Sequence, residues 1–354
     1  MKLLHVFQSF APSPASARLG EVVRGARGCR HQIVSLDGDI SASADLPARV
    51  SVGPFKAGRG RPDQLGLRRL IVDSGAEVLC TYGAGALDAG LANLAGPGLA
   101  HIHHHDESDP VKPGGAARLR SIAAAGAFIV FTSPSLANHA AATWRIPRDR
   151  LRLIPPGVDT RRFRPFPGHA VPGAMVTFGF IGPLADERAV VALVRAFTRT
   201  RSKTSMQFAV YGEGPARPAA ESLARAKGAR GRVFFRGAAS PAVLDEFDVF
   251  FYGDNCPMAD RIAEAMACGL PIVGAAAGDA PHMVARENLP ILTAPRDVEA
   301  YALVLARLVN DSASREAIGA ANAAEAREAY ALARMTADYA SLYREAAGRR
   351  RTAG

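Results

Sequence analysis

The amino-acid sequence predicts an α/β chain built on two doubly wound parallel sheets. Three observations carry this expectation. Short apolar runs alternate with stretches of helical period through residues 1–154, the pattern of a parallel sheet covered on both faces. A Pro/Gly-rich stretch, PPGVDTRRFRPFPGHAVPG, interrupts the alternation, which restarts at Met175; such a cluster marks a domain boundary. Residues 244–284 then read as an acidic lead-in, an apolar strand, an irregular loop, a helix, Gly269 and a second buried strand. That is the repeating unit of the fold.

Taken in order, residues 2–7 are strand-like and end in the loop APSPAS, before an Arg/Gly-rich helix that stops near Gly28. HQIVSL (31–36) is the next strand, and 39–62 is a long loop with one short strand around Val50. LGLRRLIVDS (65–74) has helical spacing and a glycine stop at Gly75. Strands follow at 77–81 and 99–103, the first leading into a helix of small residues and the second opening onto HHHDESD. A helix at 116–125, a buried strand at 127–132, a helix start at Ser133-Pro134-Ser135 and a short strand at 151–154 complete the first half. The second half offers strands at 175–181, 207–211 and 232–236, with helices near 187–197 and 217–226. Val190, Leu193, Val194 and Phe197 share one helical face. From Asp297 onward the chain reads as helix throughout.

The 354 residues exceed one ordinary core and suit two domains. A chain that is 48% hydrophobic and 21% charged folds rather than remaining disordered. The net charge of +10 favours anionic partners, and all but five of the 43 basic residues are arginines, which grip phosphate and carboxylate bidentately. The arginines are scattered and do not interleave with aromatics, which argues against nucleic acid. Four separated cysteines, Cys29, Cys80, Cys256 and Cys268, argue against a zinc site or a disulfide framework and for a reducing compartment. His5, Gln8 and Ser9 break the first apolar run, so it reads as a strand and not a leader. No run reaches the ~18 apolar residues of a spanning helix. The expected location is cytoplasmic, with any membrane contact peripheral, at the inner face.

Several segments together resemble the GT-B glycosyltransferases, and most closely the retaining family 4 (group 1) enzymes. LRLIPPGVDTRRFRP (151–165) is similar to that family's linker, and FGFIGPLADERAVVALVRAF (178–197) to the first strand and helix of its donor domain. The run 208–237 is similar to the next two strands, and AEAMACGLPIV (263–273) to its nucleotide-sugar helix. MTADYASLYREAAG (335–348) resembles the helix that crosses back to the first domain. The resemblance implies two Rossmann-like domains facing across a cleft. Residues 1–165 would form the acceptor side and 166–334 the donor side, with 335–354 returning to the first domain. It further implies a nucleotide-sugar donor, a glycan or lipid-linked acceptor, transfer with retention, and neither cofactor nor metal.

A donor of this kind presents a diphosphate, a ribose diol and a sugar. Backbone amides and cations hold the diphosphate, and one carboxylate suits the diol; Glu264 has that character. By resemblance Arg188 offsets phosphate charge, amides near Gly182 and around Met258 and Ala259 cradle phosphate and sugar, and Cys256 stands where the family usually carries an acid. Pro183 takes the place of a family arginine, and His282 that of a second acid. His105 or His104 would face the sugar as the catalytic histidine. The run His101, His103, His104, His105 with Asp106 also admits a metal set, or burial with backbone partners for at least two of its histidines. Gly212-Glu213-Gly214 lacks the third glycine of a dinucleotide loop. The leading expectation is a sugar transferase. The departures at Cys256 and Pro183 motivate an alternative, a weakened relative that binds nucleotide or glycan without transfer, and a GT-B sugar-nucleotide epimerase stands behind both.

Overall fold

A computed structural model of the chain describes residues 1–26, 28–55, 63–105, 114–166, 173–253 and 258–352. The chain divides into two compact units, Met1–Gly157 with Leu332–Gly354, and Val158–Ala331. Both divisions fall several residues before the expected ones at 165 and 334. The second unit is therefore inserted into the first.

The first unit carries β1 (Lys2–Phe7), α1 (Pro14–Gly25), β2 (Arg30–Ser35), β3 (Ser51–Pro54), α2 (Gln64–Asp73), β4 (Val78–Tyr82), α3 (Leu87–Leu94), β5 (Ala100–His105), α4 (Gly115–Ala124), β6 (Phe128–Phe131), α5 (Pro134–Ala142) and β7 (Leu151–Leu153). Its sheet is parallel throughout, in the order β3-β2-β1-β4-β5-β6-β7. Side chains alternate between its faces. Leu3, Phe7, Cys80 and Tyr82 pack with α1 on one side, while Leu4, Val6 and Leu79 pack with Leu67 and Ile71 of α2 on the other. Strand β5 runs two residues beyond the expected end at His103, because His104 pairs with Tyr82 and Val130, and His105 with Phe131.

The second unit carries β8 (Val176–Ile181), α6 (Glu187–Arg199), β9 (Met206–Tyr211), α7 (Arg217–Ala226), β10 (Val233–Gly237), β11 (Val249–Tyr252), α8 (Ala259–Ala267), β12 (Ile272–Ala275), α9 (Ala280–Met283), β13 (Leu292–Thr293), α10 (Val298–Asn310) and α11 (Ser312–Ala329). Its order is β10-β9-β8-β11-β12-β13. Val190, Leu193, Val194 and Phe197 of α6 are all buried against Phe178 and Phe208, as the helical spacing requires. A last helix, α12 (Leu332–Thr352), belongs to the first unit. It lays Met335, Tyr339, Leu342, Tyr343 and Ala346 on the face that α1 also covers. Among the described residues no helix is long and apolar enough to cross a membrane.

Two packing details set tolerances. A Cβ on Gly319 of α11 would lie 2.0 Å from the backbone oxygen of Gly269, so the helix approaches the α8–β12 turn only because that position is bare. Histidines also sit inside the first core. His5 Nδ1 lies 2.9 Å from the Tyr82 phenol and His5 Nε2 lies 2.9 Å from His31 Nδ1. His101 Nε2 and His103 Nδ1 each lie 2.8 Å from Thr81 Oγ1. Their partner is thus a neighbouring strand's hydroxyl, not the backbone expected from the sequence. Burial lowers the pKa of all four, to about 4 for His31 and His101. Smaller contributions come from His31 and His104 at His5, and from Arg49 at His31.

Two outcomes follow from this packing. Gly319→Ala forces α11 away from Gly269 and should cost about 1–3 kcal/mol, read as a lower urea midpoint. An unchanged midpoint would show that α11 can yield. The histidines carry a pH dependence whose sign is fixed by their lowered folded-state pKa values. The unfolded chain takes up their protons below about pH 6.5 and the folded chain does not. Their stabilisation is therefore complete above that pH and lost below it, by about 1.4 kcal/mol per pH unit for each until the folded pKa is reached. Urea unfolding at pH 7.5 and at pH 5.5 should differ steeply; equal midpoints would contradict neutral burial.

Candidate active site

In an open parallel sheet, ligands bind beyond the carboxyl ends of the strands, where the strand order reverses. The first sheet reverses between β1 and β4, and the second between β8 and β11. Each unit therefore has one position where its topology opens a crevice.

In the first unit that position is a cleft of about 230 Å³, reached by Gln8 after β1, Arg18 of α1, Tyr82, His104, His105 and Tyr339 of α12. The capping box of Ser13 and Ser16 starts α1 beside it. Gly83, at φ 71°, turns the chain sharply out of β4, and Gly85 lets that turn lie against Gln8, which a Cβ would meet at 2.5 Å. Both expected histidines line the cleft. His104 stacks on Tyr82, with centroids 4.2 Å apart and planes 7° apart, and its Nδ1 lies 3.3 Å from the Thr81 carbonyl. Burial holds its pKa down to about 3; the Thr81 carbonyl opposes that shift and the Arg18 charge adds to it. A neutral imidazole of this kind is an acceptor and donor of hydrogen bonds, not a cation. His105 points to the opposite face of the sheet, edge-on to Trp144 at 5.3 Å and 84°. Half-buried Arg18 puts a positive charge at the cleft wall. Among the described residues no group of three or more His, Cys, Asp or Glu side chains is arranged to hold a metal ion. The rings of His101 and His103 are both turned to Thr81.

In the second unit, three of the expected residues meet at the reversal. A Cβ on Gly182, just after β8, would lie 3.2 Å from Met258 Sδ, and Ala259 is the first residue of α8. Met258 gives that helix no side-chain cap, so its first-turn amides lack intrahelical partners and favour an anion. The Gly182 amide is committed elsewhere, donating to the Tyr211 carbonyl at 3.0 Å, and the Leu184 amide donates to Glu213 at 3.0 Å. Gly182 therefore supplies space and not the donor expected of it. Helix α6 is also closed to an anion: the Asp186 carboxylate accepts from the Arg188 amide at 2.9 Å and the Ala189 amide at 3.3 Å, and it pairs with Arg296 at 3.0 Å. The Arg188 side chain is exposed at that start. Gly212 and Gly214 hold φ of 143° and 154° where they abut the Gly182 and Leu184 carbonyls, a packing role and not a dinucleotide loop.

Glu264 lies in the second turn of α8, its side chain 19% exposed. The helix begins at Ala259, so Asp260 and Arg261 belong to it as well. Arg261 pairs with the Glu264 carboxylate from three residues earlier, a partner legible in the spacing but not drawn from it. Burial raises the Glu264 pKa, opposed by Arg261. The carboxylate is thus neither a solvated turn acid nor an unpaired hook. Cys256 and Asp106, both singled out in the sequence, lie outside the described residues.

Comparison with known proteins agrees with this architecture. A family model described as Glycosyltransferase Family 4 matches residues 23–162, and one described as Glycosyl transferases group 1 matches residues 176–311. A GDP-mannose-dependent alpha-(1-6)-phosphatidylinositol monomannoside mannosyltransferase of Mycobacterium tuberculosis is 28% identical over 284 residues, 72% of either chain. A D-inositol 3-phosphate glycosyltransferase of Salinispora tropica is 29% identical over 231 residues, 57% of this chain and 48% of that one. In fold, the chain superposes on Anabaena HepE in complex with UDP with a TM-score of 0.79, 17% identity, and 98% and 100% coverage of the two chains. A Rickettsia africae glycosyltransferase gives 0.79 at 16% identity, with 98% of each chain covered. With one family model on each of its two sheets, the chain belongs to the group 1 and family 4 glycosyltransferases of the GT-B fold.

Proposed function

We propose that this glycosyltransferase moves a sugar, with retention of configuration, from a nucleotide-sugar donor to a phosphate-bearing lipid or glycan acceptor. The observation that carries the donor side is the uncapped start of α8 at the strand reversal, with a mostly buried carboxylate on the same helix. The helix start suits a diphosphate, and the charge that develops on the diphosphate as the sugar leaves is what an ordered set of amides stabilises best. Arg188 adds an exposed cation in the first turn of α6, after β8. Glu264 accepts the ribose hydroxyls, and Arg261 opposes the rise in its pKa that burial causes. On the acceptor side, the first unit's cleft offers neutral His104 to hydroxyls and Arg18 to an anionic group. Two relatives act on phosphorylated inositol acceptors by their names, which supports an acceptor of that charge. The reaction needs no cofactor or metal in this reading, and the contact with a lipid acceptor is peripheral.

A second reading, nucleotide or glycan binding without transfer, is favoured by one observation. The Gly182 and Leu184 amides, where a phosphate cradle was expected, are spent on the neighbouring loop.

A thermal-shift panel of UDP, GDP, ADP and their sugar conjugates separates the outcomes, because stabilisation grows with ligand concentration over Kd. One nucleoside diphosphate should raise Tm, and Glu264→Ala should weaken its binding about thirtyfold, the loss of about 2 kcal/mol for a charge-assisted hydrogen bond. Unchanged affinity in that variant would remove Glu264 from the site. Transfer to a phosphatidylinositol-type acceptor, with the product anomer read by NMR, tests the chemistry; binding without turnover on any acceptor selects the second reading.

A further inference from the structure

Four rings line up across the carboxyl edge of the first sheet. Phe7 stacks on Tyr82 at 4.0 Å and 6°, Tyr82 on His104 at 4.2 Å and 7°, and His104 on Tyr339 at 5.7 Å and 24°. The first two pairs are closer than most aromatic pairs and nearly parallel, and the third lies in the usual range. Tyr82 is held at its other end as well, its phenol 2.9 Å from the fully buried His5. His5 is held in turn by His31 at 2.9 Å.

This arrangement constrains one torsion. The terminal torsion of a histidine is broad and roughly two-fold, so an unsupported imidazole at a cleft samples many planes. A ring turned out of the stack would drive an edge into Tyr82, which leaves only the two coplanar settings. The Thr81 carbonyl chooses between them. A carbonyl oxygen only accepts, so the His104 nitrogen facing it at 3.3 Å, Nδ1, carries the proton. Nε2 then bears the lone pair, and among the described residues it has no hydrogen-bond partner although it is buried. A buried acceptor left unmatched costs free energy, which a substrate hydroxyl arriving in the cleft would recover.

We infer that Tyr82 is a positioning residue of the transferase site: stacked between Phe7 and His104, its ring fixes the plane of His104 so that Nε2 meets a substrate hydroxyl as a ready-made acceptor. His104 makes the contact and Tyr82 acts through it. That the hydroxyl is a substrate's rests on the proposed function; the positioning itself does not, and it is measured without turnover.

The experiment is imidazole ¹⁵N NMR on the full chain between pH 5.5 and 7.5, with His104 signals assigned by their loss in His104→Gln. The wild type should show one protonated and one bare His104 nitrogen, well separated and steady across that range. Tyr82→Phe keeps the ring and should keep the pair of signals. Tyr82→Leu removes the ring and should draw them together to an averaged position; Tyr82→Met, flexible and of similar volume, replaces it if the leucine variant does not fold. Averaged signals in the wild type or in Tyr82→Phe, or separated signals in folded Tyr82→Leu or Tyr82→Met, would overturn the inference. A purely structural role would lower Tm without moving the signals. Where transfer is measurable, Tyr82→Leu should lower kcat about tenfold with KM little changed. Absence of any turnover in the wild type would count against the transferase reading alone.

Discussion

Almost everything functional in this protein descends from the handedness of the connection between parallel strands. A strand–helix–strand crossover is right-handed in nearly all proteins. A sheet that grows first to one side and then to the other must therefore place helices on opposite faces. The strands where growth reverses, β1 with β4 and β8 with β11, then have no helix filling the space between their carboxyl ends. The crevice needs no dedicated residues; the sequence has only to put useful side chains on the loops and helices that leave it. That is why the first unit's cleft draws on β1, β4 and β5, and why Gly182 and Met258 become neighbours although three strands and more than seventy residues of chain separate them in order.

A second constraint is how polar groups are kept within those cores. Buried imidazoles are tolerated here because they stay neutral and share partners. Thr81 alone serves two of them, and Tyr82, His5 and His31 form one chain. The same economy governs the second unit, where the starts of α6 and α8 differ. Asp186 seals α6, while α8 begins without a side-chain cap. Of these two helix starts, only that of α6 has its first amides taken by its own N-cap carboxylate.

Much of this was legible in the sequence because apolar runs and their spacing report burial directly. The strand and helix order, the amphipathic face of α6 and the cap at Ser133 all follow from local pattern. What escaped is what depends on a residue far away. Three consecutive histidines look like the end of a strand until Val130 and Phe131 are found beside them. His5 looks like an interruption of an apolar run, when it is the partner of a tyrosine 77 positions later. The Gly182 amide looks available until the Tyr211 carbonyl is seen to take it. Arg261 is the exception, a local partner three residues from Glu264 that an apolar reading of the helix passed over.

The docking of α12 on the first unit has a consequence for how the protein is made. That face of the sheet is covered partly by residues 332–352, which are translated after the whole second unit. The second unit is a continuous stretch and can fold on the ribosome once its own residues have emerged. The first, although begun earlier, must wait with Leu3, Phe7 and Tyr82 incompletely covered until its final helix arrives. During synthesis the exposed sheet face is a liability for aggregation and a natural client surface for chaperones. The order in which the two halves reach their native state is then the reverse of the order in which they start.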